Sequence, residues 1–286
     1  MKPAGYYGLP VVKPPVWTWE IPVYFFVGGL AGMAEAIALA AFSTGAELEL
    51  VRKAAWVAAA GAGVSPILLV MDLGRPARFA NMLRVFKWRS AMSVGAWTLA
   101  VFGACAVPAA LLLQWGEGRA LHAVAALLLF GAGVLGPLLA TYTGVLLAAT
   151  AIPVWSAHRT LLPIHFGAAA LGSAAAVLEL LGSRPPALSA VGIATAIVET
   201  MIGAALEIGR ASVVDRPLRT GRSGNLMRAA AVLTGPLSLA LRLVGARTGG
   251  GAAFLFGALL SRFAWIDAGR CSALDPEATF ASQAPP

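Results

Sequence analysis

The sequence predicts an all-α polytopic membrane protein, with eight transmembrane helices arranged as two four-helix bundles. Three observations predict it. Of 286 residues, 59% are hydrophobic, roughly 169 positions, and only 12% are charged. Soluble chains run near a quarter charged. Mean hydropathy is +0.79, more apolar surface than one water-soluble core absorbs. A span takes ~20 apolar residues, so this apolar content supplies about eight.

Residues 1–21 read as an N-terminal interfacial segment. Pro10, Pro14 and Pro15 interrupt it and it has no apolar h-region, so a cleavable signal peptide is not expected. Tyr6, Tyr7 and Trp17 exceed what an anchor needs and suggest docking. The transmembrane domain occupies 22–270. Span one is expected over Pro22–Ser43 and span two over Ala54–Met71, followed by a polar stretch to Ser93. Span three covers Val94–Gln114. Span four, Leu121–Thr150, is too long for an upright helix and should tilt or break near Gly136-Pro137. Spans five to eight are Leu161–Gly182, Leu188–Gly209, Leu226–Val244 and Gly251–Ala268. The tail, 271–286, is polar and expected to fray. Gly28, Gly29 and Gly32 give span one the small-residue spacing of close helix packing.

An even span count puts both termini on one face, the N-side. It carries 14 Lys and Arg against six opposite, with Arg262 inside span eight. The positive-inside rule places that face in the cytoplasm of a cell (inner) membrane. The net charge of +8 therefore reads as topology and lipid contact rather than nucleic-acid binding. Trp17, Trp19, Trp88, Trp97, Trp155 and Trp265 fall at the N-side boundary, Trp56 and Trp115 at the other, as interface anchors do.

Two cysteines, Cys105 and Cys271, and no CxxC exclude an iron–sulfur cluster held by this chain alone. The histidines are His122, His158 and His165. The first lies at the far face and the other two are neighbours at one depth, so they do not suit a bis-histidine haem.

Ionisable groups at membrane depth are functional candidates by default. At 1.5 Å per residue, Glu35 and Glu199 fall near the bilayer middle. Glu20, Asp72, Arg75, Tyr142, His165, Glu207 and Arg210 fall in the N-side half, and Glu179 sits alone near the opposite face. A phenol, an imidazole, carboxylates and guanidiniums at one depth suit a small polar headgroup with its tail in lipid. A quinone fits, since its carbonyls take hydrogen bonds and its reduction takes protons. In this reading Tyr142 and His165 hold the headgroup, Asp72 and Arg75 handle protons, and Glu35, Glu199 and Glu207 extend the proton path. Plainer readings compete. Asp72 with Arg75 also fits a cap on span two, Glu207 with Arg210 a neutralising i, i+3 pair, and Tyr142 an interface tyrosine. A proton-coupled transporter using the mid-span carboxylates and a purely structural anchor are the alternatives of other classes.

Four segments in order resemble the NrfD/PsrC family of membrane subunits, which includes polysulfide reductase. They are WTWEIPVYFFVGGLAG (Trp17 to Gly32), SPILLVMDLGRPARFANMLRVFK (Ser65 to Lys87), SAMSVGAW (Ser90 to Trp97) and TYTGVLLAATAIPVW (Thr141 to Trp155). The resemblance implies an eight-helix quinone-reactive subunit of a respiratory oxidoreductase complex, exchanging electrons with the menaquinone or ubiquinone pool and having no redox cofactor of its own. It implies a four-cluster iron–sulfur ferredoxin-like partner and a catalytic, molybdopterin-type subunit. It also implies that Tyr142 meets the quinone and that Trp17, Trp19 and Glu20 line the same place. Relatives can carry Asn and His before span one, and this chain has neither. Glu35 stands where a small residue is expected. Several relatives dock periplasmic partners on the equivalent face, against the charge count, which favours the cytoplasm.

Overall fold

The computed structural model describes residues 11–74, 78, 81–209 and 212–283. Every regular element among them is helical. Eight helices are long and apolar enough to cross a membrane: Glu20–Ser43, Leu48–Leu73, Ala91–Trp115, Arg119–Ala148, Leu161–Leu180, Pro186–Ile208, Gly221–Leu243 and Arg247–Leu274. They are spans one to eight below.

The helices outrun their apolar stretches where polar residues can still reach the interface. Span two starts at Leu48, so Glu49, Arg52 and Lys53 ride on its first turns. Lys53 pairs with Glu49 at 2.6 Å, and Arg52 Nε donates to the Leu113 carbonyl at 2.7 Å. Gly74 ends span two at φ 65°, a left-handed turn that glycine adopts without a side-chain clash. Ser90 opens span three by accepting the Ser93 amide at 3.4 Å.

Span one sits among spans two, four and five, and its three glycines serve three different neighbours. A side chain at Gly28 would meet Ser65 of span two, at Gly29 Ala170 of span five, and at Gly32 the backbone of Gly136 in span four. Without water to drive helices together, such close backbone approach is the main source of association. Span five is the most buried span. It packs on spans one and four about as extensively as on span six, so it joins the two halves instead of belonging to one separate bundle.

The expected break lies in a different span. Span four runs unbroken through Pro137 from Arg119 to Ala148. Its Gly136 uses the missing side chain for contact with Gly32. Span seven is the interrupted one. Residues Leu233–Leu237 form a π turn, with Gly235 at φ −93°, ψ −105° and Pro236 inside it. Proline removes a ladder donor and glycine tolerates the displaced backbone. The site is crowded, since a side chain at Gly235 would meet Thr200 of span six.

The tail does not fray from Cys271. Span eight continues to Leu274, and Pro276–Gln283 adds a short helix. Asp275 Oδ1 accepts the Glu277 amide at 3.0 Å and the Ala278 amide at 3.4 Å, and Ala278 and Thr279 are buried. At the other terminus, Arg270 of span eight donates to the carbonyls of Pro15 and Trp17. Trp17 stacks on Trp155 at 5.7 Å. The start of span one and the end of span eight thus meet on one face. Tyr6 and Tyr7 lie outside the described residues.

Candidate functional site

At that face, spans one to four leave a narrow cleft. Tyr142 of span four and Tyr24 of span one are both buried there, and their hydroxyls are in hydrogen-bond contact. The seat for Tyr142 depends on Gly95 of span three, because any side chain at that position would overlap the phenol ring. Trp17, Phe25, Asp72 and the flexible Met82 and Met92 complete the lining. The free space is about 60 Å³, room for a few waters.

Asp72, on the last turn of span two, faces Glu20 and the Thr18 amide. Thr18 in turn donates its hydroxyl to Glu20. Tyr142, Asp72, Trp17 and, beside them, Glu20 are therefore brought together as the sequence suggests. Trp19 is not. It is 53% exposed and lines a shallow recess on the other side of span one, with Arg222, Asp267 and Arg270. Arg75 lies outside the described residues, so its role beside Asp72 is left there. Tyr24 escaped the sequence reading. Its signal was present, since it lies one turn below Glu20 and one turn above Gly28, on the face span one buries.

His165 does not join this cleft. It is buried in a second polar cluster enclosed by spans five to eight. His165 Nδ1 is 3.1 Å from Glu199 Oε2, offset from the line of an aligned hydrogen bond. Thr234, inside the π turn of span seven, places its hydroxyl 3.4 Å from the same oxygen and 3.0 Å from the Ala230 carbonyl. Arg262 of span eight completes the cluster. It is 2% exposed, donates to the Phe166 carbonyl at 3.0 Å and lies over the Phe166 ring at 3.7 Å. Glu199 is near enough to act on its charge. Phe166 also tilts against Phe25 at 6.1 Å, so an aromatic wall stands between cluster and cleft. Helices alike in depth can turn His165 and Tyr142 to different interiors, which is why shared depth misled.

The remaining acids divide sharply. Glu35 is fully buried in span one, and neither oxygen has a partner. It lies 11 residues beyond Tyr24, about 16 Å along the helix, and so has no direct contact with the cleft's phenols. Glu179 is not alone. Arg242 Nη1 donates to both of its oxygens at 2.7 and 3.0 Å, with both residues buried. Gly192 leaves the space this guanidinium fills. Glu207 is exposed and pairs with Arg228 at 3.6 Å, away from both interiors. Arg210 lies outside the described residues.

Chemically, the cleft offers two phenol hydroxyls, a carboxyl group and an indole wall. Phenols donate to a carbonyl or accept from a hydroxyl, and a carboxylate one side chain away can carry the proton. Such a set suits an amphipathic ligand that changes between those two forms.

No curated protein matches the sequence. A family profile described as polysulfide reductase (NrfD) matches residues 3–274, nearly the whole chain. Eight apolar helices and this match make the chain a multi-pass membrane protein that belongs to the NrfD polysulfide reductase family, the membrane subunits of oxidoreductase complexes.

Proposed function

We propose that the chain is the quinone-reactive subunit of its complex and exchanges electrons between an iron–sulfur partner and the membrane quinone pool. The observation that carries this reading is the buried Tyr24–Tyr142 pair opening on a cleft that also holds Asp72 and Trp17. The headgroup would enter by displacing Met82 and Met92, unbranched side chains that repack readily, since the free space of about 60 Å³ is smaller than a substituted ring. The isoprenoid tail would stay in lipid.

In the reducing direction one quinone takes two electrons and two protons and leaves as quinol. The electrons come from the partner's nearest cluster. The Tyr142 hydroxyl donates to one carbonyl oxygen and holds the ring. Tyr24 supports Tyr142 by the phenol–phenol contact and keeps it from turning away. Asp72, at the mouth beside Glu20, takes protons from the N-side water and delivers them to the quinone oxygen. Quinol oxidation runs the same steps backwards.

The iron–sulfur and catalytic partners would dock on the N-side, where Trp17 and the 11–19 segment are strapped to span eight by Arg270. The charge count favours the cytoplasm for this face.

The test is quinone turnover by the purified complex carrying Tyr142→Phe. Loss of one positioned hydrogen-bond donor should lower turnover by roughly 10-fold while the amount of assembled complex stays at the wild-type level. Unchanged turnover would remove Tyr142 from the site. Absence of quinone from lipids extracted with the wild-type complex would favour a structural anchor. The broken span seven beside Glu199 is the one observation favouring a proton-coupled transporter, since such folds interrupt helices at their sites. Solute uptake by the chain alone in vesicles would support that reading instead.

A further inference from the structure

The cluster in spans five to eight has more buried polar atoms than the protein satisfies. His165 Nε2, Glu199 Oε1 and the Nε and Nη1 of Arg262 have no protein partner. The side chains of His165 and Glu199, with Thr234 and Ser261, converge on a cavity of about 10 Å³, the size of one water. Arg262 flanks it. Buried polar groups are almost always hydrogen-bonded, to protein or to ordered water. Two such atoms, His165 Nε2 and Glu199 Oε1, on the walls of a water-sized cavity are the signature of a hydrated site.

The cluster also lies close to the N-side surface. Trp265, one turn along span eight from Arg262, has its ring 6.3 Å from His165 and 5.6 Å from His158. His158 Nε2 lies 2.9 Å from Asp215 Oδ1, and both residues are partly exposed at the N-side. The partly exposed Asp215–His158 pair and the buried His165–Glu199 pair therefore lie on either side of one buried indole, Trp265. The buried pair adjoins Thr234 in the π turn of span seven, where the helix ladder is interrupted.

We infer that His165, Glu199 and Arg262 form a hydrated, proton-exchanging site inside spans five to eight, loaded from the N-side through His158 and Asp215 and separate from the Tyr142 cleft. The inference does not depend on a quinone occupying that cleft. The titratable group facing His165 is Glu199 from span six, while span eight sets Trp265 beside the ring and Arg262 on the neighbouring Phe166. Span seven contributes the Thr234 hydroxyl, span one the Phe25 ring behind Phe166, and span four the backbone at Gly144 against Leu162.

The proton balance is simple. The nearest group to His165 Nδ1 is a carboxylate oxygen, so Nδ1 carries the ring hydrogen in the unloaded state. A proton arriving from the N-side through water adds to Nε2, and the Nδ1 proton passes to Glu199 Oε2. The imidazole ends neutral in its other tautomer, and the carboxylate ends as a carboxylic acid. The site has gained one proton and one positive charge, and the reverse transfer restores the start. Thr234 orients the accepting oxygen.

Infrared difference spectroscopy of the intact complex, perfused from alkaline to acidic buffer, reads this directly. The expected result is a carboxylic acid carbonyl band that appears on acidification, shifts in heavy water, disappears in Glu199→Gln and persists in Tyr142→Phe. No such band, or a band that survives Glu199→Gln, would overturn the inference. If Glu199→Gln does not assemble, Thr234→Val serves, since loss of that hydroxyl must shift the band while leaving its amplitude. An unshifted band overturns the assignment. His158→Ala with Asp215→Asn should slow the band's appearance by at least ~10-fold. An unchanged rate overturns the route.

Discussion

Spans one to four and spans five to eight hold similar residue types at similar depth, and do opposite things with them. Apart from the buried Glu35, the first half keeps its polar groups at a mouth, where Tyr24 and Tyr142 satisfy each other and Asp72 meets the N-terminal segment. The second half seals its polar groups inside. Glu199 and His165 meet at a water-sized cavity, and Glu179 is bound to Arg242. The difference teaches that depth alone does not define a site. A cleft needs neighbours that leave space, as Gly95 does for Tyr142. A buried cluster needs neighbours that balance charge.

The largest expected effect lies in the sealed half. Arg242→Leu would leave Glu179 buried without its partner, and breaking a buried pair costs about 3–5 kcal/mol. Assembled protein should fall steeply, read as yield and as thermal denaturation in detergent. Adding Glu179→Leu should recover much of the loss, because an apolar pair replaces the ion pair. Failure of the double variant to recover would mean the pair does more than balance charge.

An intermediate effect is expected in the open half. Gly95→Val would push the Tyr142 ring from its seat. Quinone turnover should drop at least as far as with Tyr142→Phe, about 10-fold or more, whereas the carboxylic acid band of Glu199 should be unchanged. If that band moves as well, the two halves are coupled and the contrast drawn between them fails.

The smallest effect belongs to the surface. Glu207→Ala removes only an exposed pair with Arg228, and such pairs contribute about 0–1 kcal/mol. Turnover and melting temperature should both hold. A clear loss of proton-coupled activity would return Glu207 to the proton path from which its position removes it.

Several particulars were legible in the letters. Eight apolar stretches, the shared face of both termini and the grouping of Trp17, Glu20, Asp72 and Tyr142 followed from position along the chain, whereas Trp155 and Trp265, expected as interface anchors, are fully buried. Others were not. His165 shared a depth with Tyr142 but not an interior, Trp19 turned outward, and Glu179 had a partner 63 residues away. The helix break sat in span seven, where Gly235 crowds Thr200, and not at Pro137 in span four.

The physical reason is a matter of coordinates. Depth in a membrane is a one-dimensional quantity, set by 1.5 Å of rise per residue and anchored by charges and tryptophans that only the interface tolerates. The sequence by itself therefore determined which residues lie at which level. Rotation about each helix is different. In a soluble helix the apolar stripe announces the buried side. Here lipid and protein interior are equally apolar, and the side facing a partner differs from the side facing lipid mainly in small residues. Which neighbour each side chain meets was decided only by the tertiary structure, through backbone contacts such as Gly32 on Gly136 and Gly29 on Ala170.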